Sequence, residues 1–157
     1  LSSSSAASDV YKRQYYGCRE YGDYYADAVC KYTGKDIMRW KPDVIVPVPL
    51  TGRKQRMRGF NQSAYLADRV GEQLQIPVAY GLVKKIRNTK SQKKLNAAQR
   101  KQNLADAFRA EENIRGLTVL VIDDVYTTGS TVDAMAQCLK GAGAEQVYFI
   151  TLCAGQQ

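Results

Sequence analysis

The 157-residue chain contains no histidine. That absence removes serine-type triads, imidazole acid–base pairs and His-containing metal sites together. Its four cysteines, Cys18, Cys30, Cys138 and Cys153, form no CxxC pair, so no zinc ribbon is visible. Cys138 and Cys153 stand among apolar residues and are expected as small core side chains. No GxxxxGK loop followed by Ser or Thr exists, which excludes the usual P-loop nucleotide site. No apolar run approaches the roughly 20 residues of a membrane span, and no basic start precedes an apolar core. No membrane insertion and a cytoplasmic location are therefore expected. With 45% hydrophobic and 24% charged residues, the composition is that of one globular domain with a real core.

Acidic residues are the scarcer charge, 15 against 23 Lys and Arg, for a net +8. An excess of this sign points to an anionic partner, a phosphorylated metabolite or a nucleic acid. The cations are clustered. Residues 51–58 (TGRKQRMR) hold four and no acid, and residues 84–101 (KKIRNTKSQKKLNAAQRK) hold eight and no acid. The bland alternative for either segment is a solvated loop.

Residues 1–14 are Ser- and Ala-rich without apolar periodicity, and are set aside as non-native or disordered, leaving 15–157 as the domain. In the tyrosine-rich stretch 15–40, Tyr21, Tyr25, Ala28 and Tyr32 fall near helical spacing, predicting an amphipathic helix whose aromatic stripe packs into the core. Lys41-Pro42-Asp43 reads as a turn, Val44–Val48 as a short buried strand. Ser63, Leu66, Ala67, Val70 and Leu74 recur at helical spacing up to Ile76-Pro77, and Val78–Val83 reads as a second strand. A turn at Asn113–Gly116 precedes Thr118–Ile122, an apolar β-branched run suited to a strand covered on both faces. Val132, Met135, Ala136 and Leu139 make a helical face, ended by Gly141-Ala142-Gly143, and Val147–Cys153 reads as a final buried strand. Strands alternating with helices predict an α/β fold with an open, mainly parallel sheet.

The segment that carries chemistry runs from Val119 through Asp123 and Asp124 to Val125, Tyr126, Thr127, Thr128, Gly129, Ser130 and Thr131. Ligands of open α/β sheets sit at the carboxyl ends of strands, so the two carboxylates face the expected site. A helix N-terminus presents amides and a partial positive charge to a phosphate, glycine admits close backbone approach, and the hydroxyls add donors. Paired acids beside a phosphate cradle suit sugar hydroxyls with Mg²⁺ nearby. The acid pair alone also fits a Walker B strand, a receiver-type acidic pocket or a plain strand-end turn. The hydroxyl-rich turn directly after it is what makes the pattern specific.

This thirteen-residue segment closely resembles the motif that binds 5-phosphoribosyl 1-pyrophosphate (PRPP) in type I phosphoribosyltransferases. The likeness extends over about residues 17–155. Val46–Lys54, Arg58-Gly-Phe-Asn-Gln62, the spacing Arg87, Gln92, Arg100, Asn103, and Ala107-Phe108 resemble the ComF-type competence protein family. The resemblance implies the type I phosphoribosyltransferase fold, helices on both sheet faces and a partial hood. It implies that Asp123 and Asp124 hold the ribose hydroxyls and that Val125 to Thr131 hold the 5′-phosphate. It places pyrophosphate on the loop Leu50, Thr51, Gly52, Arg53, Lys54, and makes 84–101 a loop that closes over the ligand. Arg53, Lys54, Arg87 and Arg100 are the candidate catalytic cations, with Mg²⁺ as cofactor, held through PRPP near Asp123 and Asp124. Candidate partners are PRPP, single-stranded DNA, competence or DNA-processing proteins and a second copy of the chain. Two departures stand out. Purine-salvage members carry an acid where this chain has Thr127, which disfavours hypoxanthine or guanine as the acceptor. The family's N-terminal zinc ribbon is missing, so a truncated member is expected.

Overall fold

The computed structural model describes residues 19–50, 61–86, 107–111, 114–126 and 129–154. The first helix, α1 (Arg19–Trp40), stops where Lys41 takes a φ of 50° and Pro42 follows. The chain then enters β1 (Val44–Pro47), every residue of which is buried. Asp43 joins the start of this strand to the start of β4 (Thr118–Tyr126): its amide donates to the Thr118 carbonyl (2.9 Å) and its Oδ2 accepts from the Thr118 amide (2.7 Å).

Helix α2 (Gln62–Leu74) ends on Gln75 in the left-handed region, φ 58°, whose amide donates to Gly71 O. The chain doubles back there over Gly71, where a Cβ would stand 2.7 Å from both Ile76 O and Val78 Cγ2. Glycine is what lets the return strand lie against its own helix. The predicted strand Val78–Val83 does not form as one piece. Val78 makes only an isolated parallel bridge with Ile45, and the chain turns at Tyr80–Leu82. Val83 instead opens β2 (Val83–Lys85), which pairs antiparallel with β3 (Phe108–Ala110) in a separate small sheet. Gly81, at the turn, breaks what looked like a continuous apolar run.

The main sheet has the order β1–β4–β5, all parallel, with β5 (Gln146–Ala154) reached through helix α3 (Ser130–Gly141). Its central strand β4 is buried from Val119 to Ile122. Alternation divides the core into two layers. Val119 and Val121 pack with Val44, Val46, Ala134, Met135 and Leu139 on the α3 side. Leu120 and Ile122 pack with Ile45, Ala26, Ile37, Leu66 and Val70 on the side of α1 and α2. Helices thus cover both faces, as the sequence predicts. The last strand is less buried than expected: Ile150 is covered, but Val147, Tyr148, Phe149 and Leu152 are half-buried, because among the described strands β5 is at the edge of the sheet. Tyr148 is stacked on Trp40 of α1, ring centroids 4.6 Å apart.

The tyrosine stripe of α1 is also a correction. The face turned inward is Ala26, Val29 and Ile37, while of the predicted stripe Tyr25 and Ala28 are half-buried and Tyr32 is 76% exposed. Small and β-branched residues let α1 lie close on α2, where a Cβ on Gly22 would run into the Tyr65 ring. Polar ties finish the contact: Asp23 accepts from Arg69 Nε (2.7 Å) and Tyr65 OH (2.9 Å), and Asp27 from Gln73 Nε2 (2.6 Å). Of the cysteines expected inside, Cys138 is half-buried at the edge of the α3 layer.

Candidate functional site

Strand β4 continues its pairing with β5 past the core, through Asp123 opposite Thr151 to Tyr126 opposite Ala154. The ladder therefore carries two adjacent carboxylates to the carboxyl end of the sheet. Asp123 is only 7% exposed, while Asp124 is half-buried. One oxygen of Asp123, Oδ1, accepts from the Asp124 amide (2.9 Å) and from Ser63 Oγ (3.1 Å). Burial and then the neighbouring Asp124 charge and carboxyl push the Asp123 pKa up to about 7, with the amide and the serine hydroxyl pulling it partly back. A carboxyl in this state is partly protonated near neutral pH, able to accept hydrogen bonds from a diol and to give one back.

Three residues after Tyr126 the chain enters α3. Gly129 is its N-cap, with φ 74° and no side-chain cap, and its carbonyl accepts from the Asp133 amide (2.9 Å). The Tyr126 phenol lies over this glycine, with its oxygen 2.6 Å from where a Cβ would be. A side chain at 129 would displace the tyrosine as well as strain the turn. Strand end, acid pair, glycine turn and helix N-terminus thus come in the order that a ribose-phosphate cradle requires.

Of the residues singled out from the sequence, Leu50, Asp123, Asp124, Tyr126, Gly129, Ser130 and Thr131 fall in described parts of the chain, and Val125 as strand backbone. Thr51, Gly52, Arg53, Lys54, Arg87, Arg100, Thr127 and Thr128 lie outside the described residues. Leu50 stands half-buried just beyond β1, whose exit is tied to β4 by the Val48 amide donating to Ile122 O (2.9 Å). The expected closing loop 84–101 begins differently from the prediction. Lys84 and Lys85 belong to β2, with Lys84 Nζ 2.7 Å from Glu111 and Lys85 over the Phe108 ring.

Asn61 and Ser63 were not singled out as site residues. Asn61 is readable as a helix cap, since its Oδ1 accepts from the Ser63 amide (3.1 Å). That Ser63 meets an acid 60 positions away is not readable from any local pattern. Among the described residues no group of three or more Cys, Asp or Glu side chains is placed to hold a metal ion by itself. Nor is any described helix long and apolar enough to cross a membrane.

Residues 23–157 match the family model for the phosphoribosyl transferase domain. The DNA utilization protein YhgH of Salmonella typhi is 43% identical over 112 residues, which make up 71% of this chain and 49% of that protein. Competence protein F of Haemophilus influenzae is 36% identical over 109 residues, 68% of this chain and 48% of that one. The chain therefore spans about half the length of the curated relatives it matches. Among solved structures, a purine phosphoribosyltransferase from Pyrococcus horikoshii superposes with a TM-score of 0.54 at 18% identity, covering 83% of this chain and 73% of that one. An orotate phosphoribosyltransferase from Aeropyrum pernix gives 0.53 at 16% identity, covering 90% and 76%. At these identities the two structures speak for the fold alone.

Proposed function

This chain belongs to the phosphoribosyl transferase domain family, in its ComF-type branch, and from that premise we propose that it binds PRPP at the carboxyl end of β4 and acts as a phosphoribosyltransferase. The observation that carries the reading is the juxtaposition of an acid pair, buried Asp123 and half-buried Asp124, with a glycine-capped helix N-terminus five residues on. The acids accept the ribose hydroxyls, and the turn from Val125 to Thr131 takes the 5′-phosphate. In the reaction a nitrogen nucleophile forms a bond to ribose C1, the C1–oxygen bond to pyrophosphate breaks, and pyrophosphate leaves with the bonding pair. Asp123 and Asp124 lie where positive charge grows on the sugar, and the cations Arg53, Lys54, Arg87 and Arg100 are assigned to the leaving group.

The donor set fits Mg²⁺ in one way. Among the described residues no three acidic or thiol side chains gather to hold it directly, and an ion that keeps most of its coordination on phosphate oxygens and water would be held through PRPP near Asp123 and Asp124. When bound there, the ion would supply charge neutralisation at the pyrophosphate. The proposed compartment is the cytoplasm.

A second reading has a specific observation behind it. The outward face of α1 carries Tyr24, Tyr32 and Met38 exposed, beside exposed Lys31, Lys35 and Arg39. Tyrosines among cations suit stacking and backbone contacts to single-stranded nucleic acid, and two relatives are named for DNA utilization and competence. In this reading the pocket senses PRPP or a nucleotide without turnover. The test of the first reading is a thermal-shift titration with PRPP, with and without Mg²⁺, followed by pyrophosphate release in the presence of nitrogen acceptors. A rise in melting temperature that needs both components is expected, as for any ligand that binds only the native state. No shift at millimolar PRPP in folded protein would sink it. Binding without pyrophosphate release would leave the sensor reading in its place.

A further inference from the structure

Neither Asn61 nor Ser63 is assigned to the ligand in the phosphoribosyl reading, yet they connect its parts. Asn61 Nδ2 donates to the Val48 carbonyl (3.0 Å), at the exit of β1. Its Oδ1 accepts from the Ser63 amide (3.1 Å), which starts α2. Ser63 Oγ then donates to Asp123 Oδ1 (3.1 Å) at the end of β4. Ser63 and Asp123 are 3% and 7% exposed, so water does not substitute for this bond. The three links join the two ends of the 51–60 segment, one on β1 and one on α2, to the acid pair.

We infer that Ser63 is a positioning residue for the candidate site, fixing the Asp123 carboxyl in the orientation that meets ribose, and that Asn61 fixes Ser63 in turn. The inference rests on the PRPP reading for its ligand, and on the hydrogen-bond geometry for everything else. A carboxyl turns about its Cβ–Cγ bond with little torsional resistance, since such torsions are broad. Asp123 has both described donors on one oxygen, Ser63 from α2 and the Asp124 amide from its own strand. Removing the serine hydroxyl leaves, among the described residues, the amide and carboxyl of Asp124, which move with the strand and do not report where α2 is.

A hydroxyl that serves only to satisfy a buried acid would change stability and scale all ligand affinities without other signs. A positioning hydroxyl also changes where the acid titrates and which substitution rescues it. Among the described residues the charge acting on Asp123 is that of Asp124, and the Ser63 bond favours the ionised form. Its loss therefore moves the acid limb of ligand binding to higher pH.

The experiment compares wild type, Ser63→Ala, Ser63→Thr and Asn61→Asp by calorimetric titration with PRPP and Mg²⁺ between pH 5.5 and 8.5. Each variant's melting temperature is recorded alongside, and an unliganded crystal structure is determined for Ser63→Ala. The expected result is a loss of about tenfold or more in PRPP affinity for Ser63→Ala, the range of a hydrogen bond to a charged group. Its acid limb lies higher than wild type, and its Asp123 carboxyl is turned. Ser63→Thr keeps the hydroxyl and binds nearly as wild type. Asn61→Asp keeps the cap acceptor but loses the donor to Val48, and falls between. Equal affinity and an unmoved acid limb in Ser63→Ala would overturn the inference while leaving the PRPP reading standing. So would an unrotated Asp123, or a Ser63→Thr variant that melts normally but binds no better than alanine. A wild type that takes up no PRPP defeats the functional reading and the ligand half of this inference. The crystal structure of Ser63→Ala still decides whether the serine sets the carboxyl.

Discussion

Replacing Asp123 with asparagine should change how the fold responds to pH more than it changes the fold. Asp123 ionises near 3.9 in an unfolded chain and near 7 in the native one. Between those values the unfolded chain has released the proton that the native chain still holds. Stability is then fully present below about pH 4 and declines as pH rises through 7. A displacement from 3.8 to about 7 corresponds to on the order of 4 kcal/mol as an upper bound, at about 1.4 kcal/mol per unit. Because Asp123 titrates beside another acid, a value below that bound, on the order of 2–4 kcal/mol, is expected, roughly 5–15 °C in melting temperature for a chain of this size. The absence of histidine leaves the pH 5–8 window unusually clear. The carboxylates of Asp23 and Glu111 are held low by Tyr65 and Lys84 respectively, so their contribution is complete before the window opens. Asp68 is raised by burial and acts in the same direction as Asp123, which is why the difference curve matters. Thermal or urea unfolding of wild type and Asp123→Asn at half-unit steps gives that curve. Wild type should lose stability from pH 5 to 8 and the variant should lose much less. A wild type whose stability is level or rising across the window, or two parallel curves, would refute the reasoning.

Three further outcomes follow from single positions. Gly71→Ala places a methyl 2.7 Å from the Ile76 carbonyl and Val78, and should destabilise by about 1–3 kcal/mol, the range for overpacking, read by urea unfolding. Gly129→Ala meets both a φ of 74° and the Tyr126 phenol; it should cost about 1–2 kcal/mol of stability and weaken PRPP binding beyond that, with calorimetric titration separating the two. With Thr127 where purine-salvage members of the family carry an acid, and no histidine anywhere, no inosine or guanosine monophosphate should form from PRPP and the free base. Chromatographic detection of either product would return the chain to the purine-salvage group.

The parts of the fold that sequence made legible are those where one local rule acts alone. The four consecutive buried residues of β4 announce a two-sided strand because no alternation is needed when helices cover both faces. The α2 stripe Leu66, Ala67, Val70 is legible for the same reason. The errors occur where tertiary packing chooses between local options. Tyrosine spacing on α1 gave a helix but the wrong face, since close approach to α2 selects Gly22, Ala26 and Val29 over bulky rings. Val78–Val83 reads as one strand, yet Gly81 divides it between two sheets whose pairing is fixed by residues far along the chain. In the site, the acid pair and the glycine turn were readable because they are contiguous. Ser63 was not, because its meaning comes from a bond across 60 residues.

The raised Asp123 follows from the same ladder that makes β4 legible. Pairing with β5 continues unbroken from Thr118 to Asp123 and resumes at Val125 and Tyr126, so the acid cannot leave the sheet without giving up backbone hydrogen bonds. A buried backbone group without a partner costs about 1–3 kcal/mol. Leu120, Val121 and Ile122 are wholly buried just before it, each contributing roughly 1.5–3 kcal/mol. That burial offsets the penalty on the carboxyl with a margin. The core of the strand therefore holds the acid in an environment that the acid alone would avoid. A ligand that presents hydroxyl donors to Asp123 meets a carboxyl already dehydrated and already oriented by Ser63, so the desolvation that binding normally requires has been met by folding.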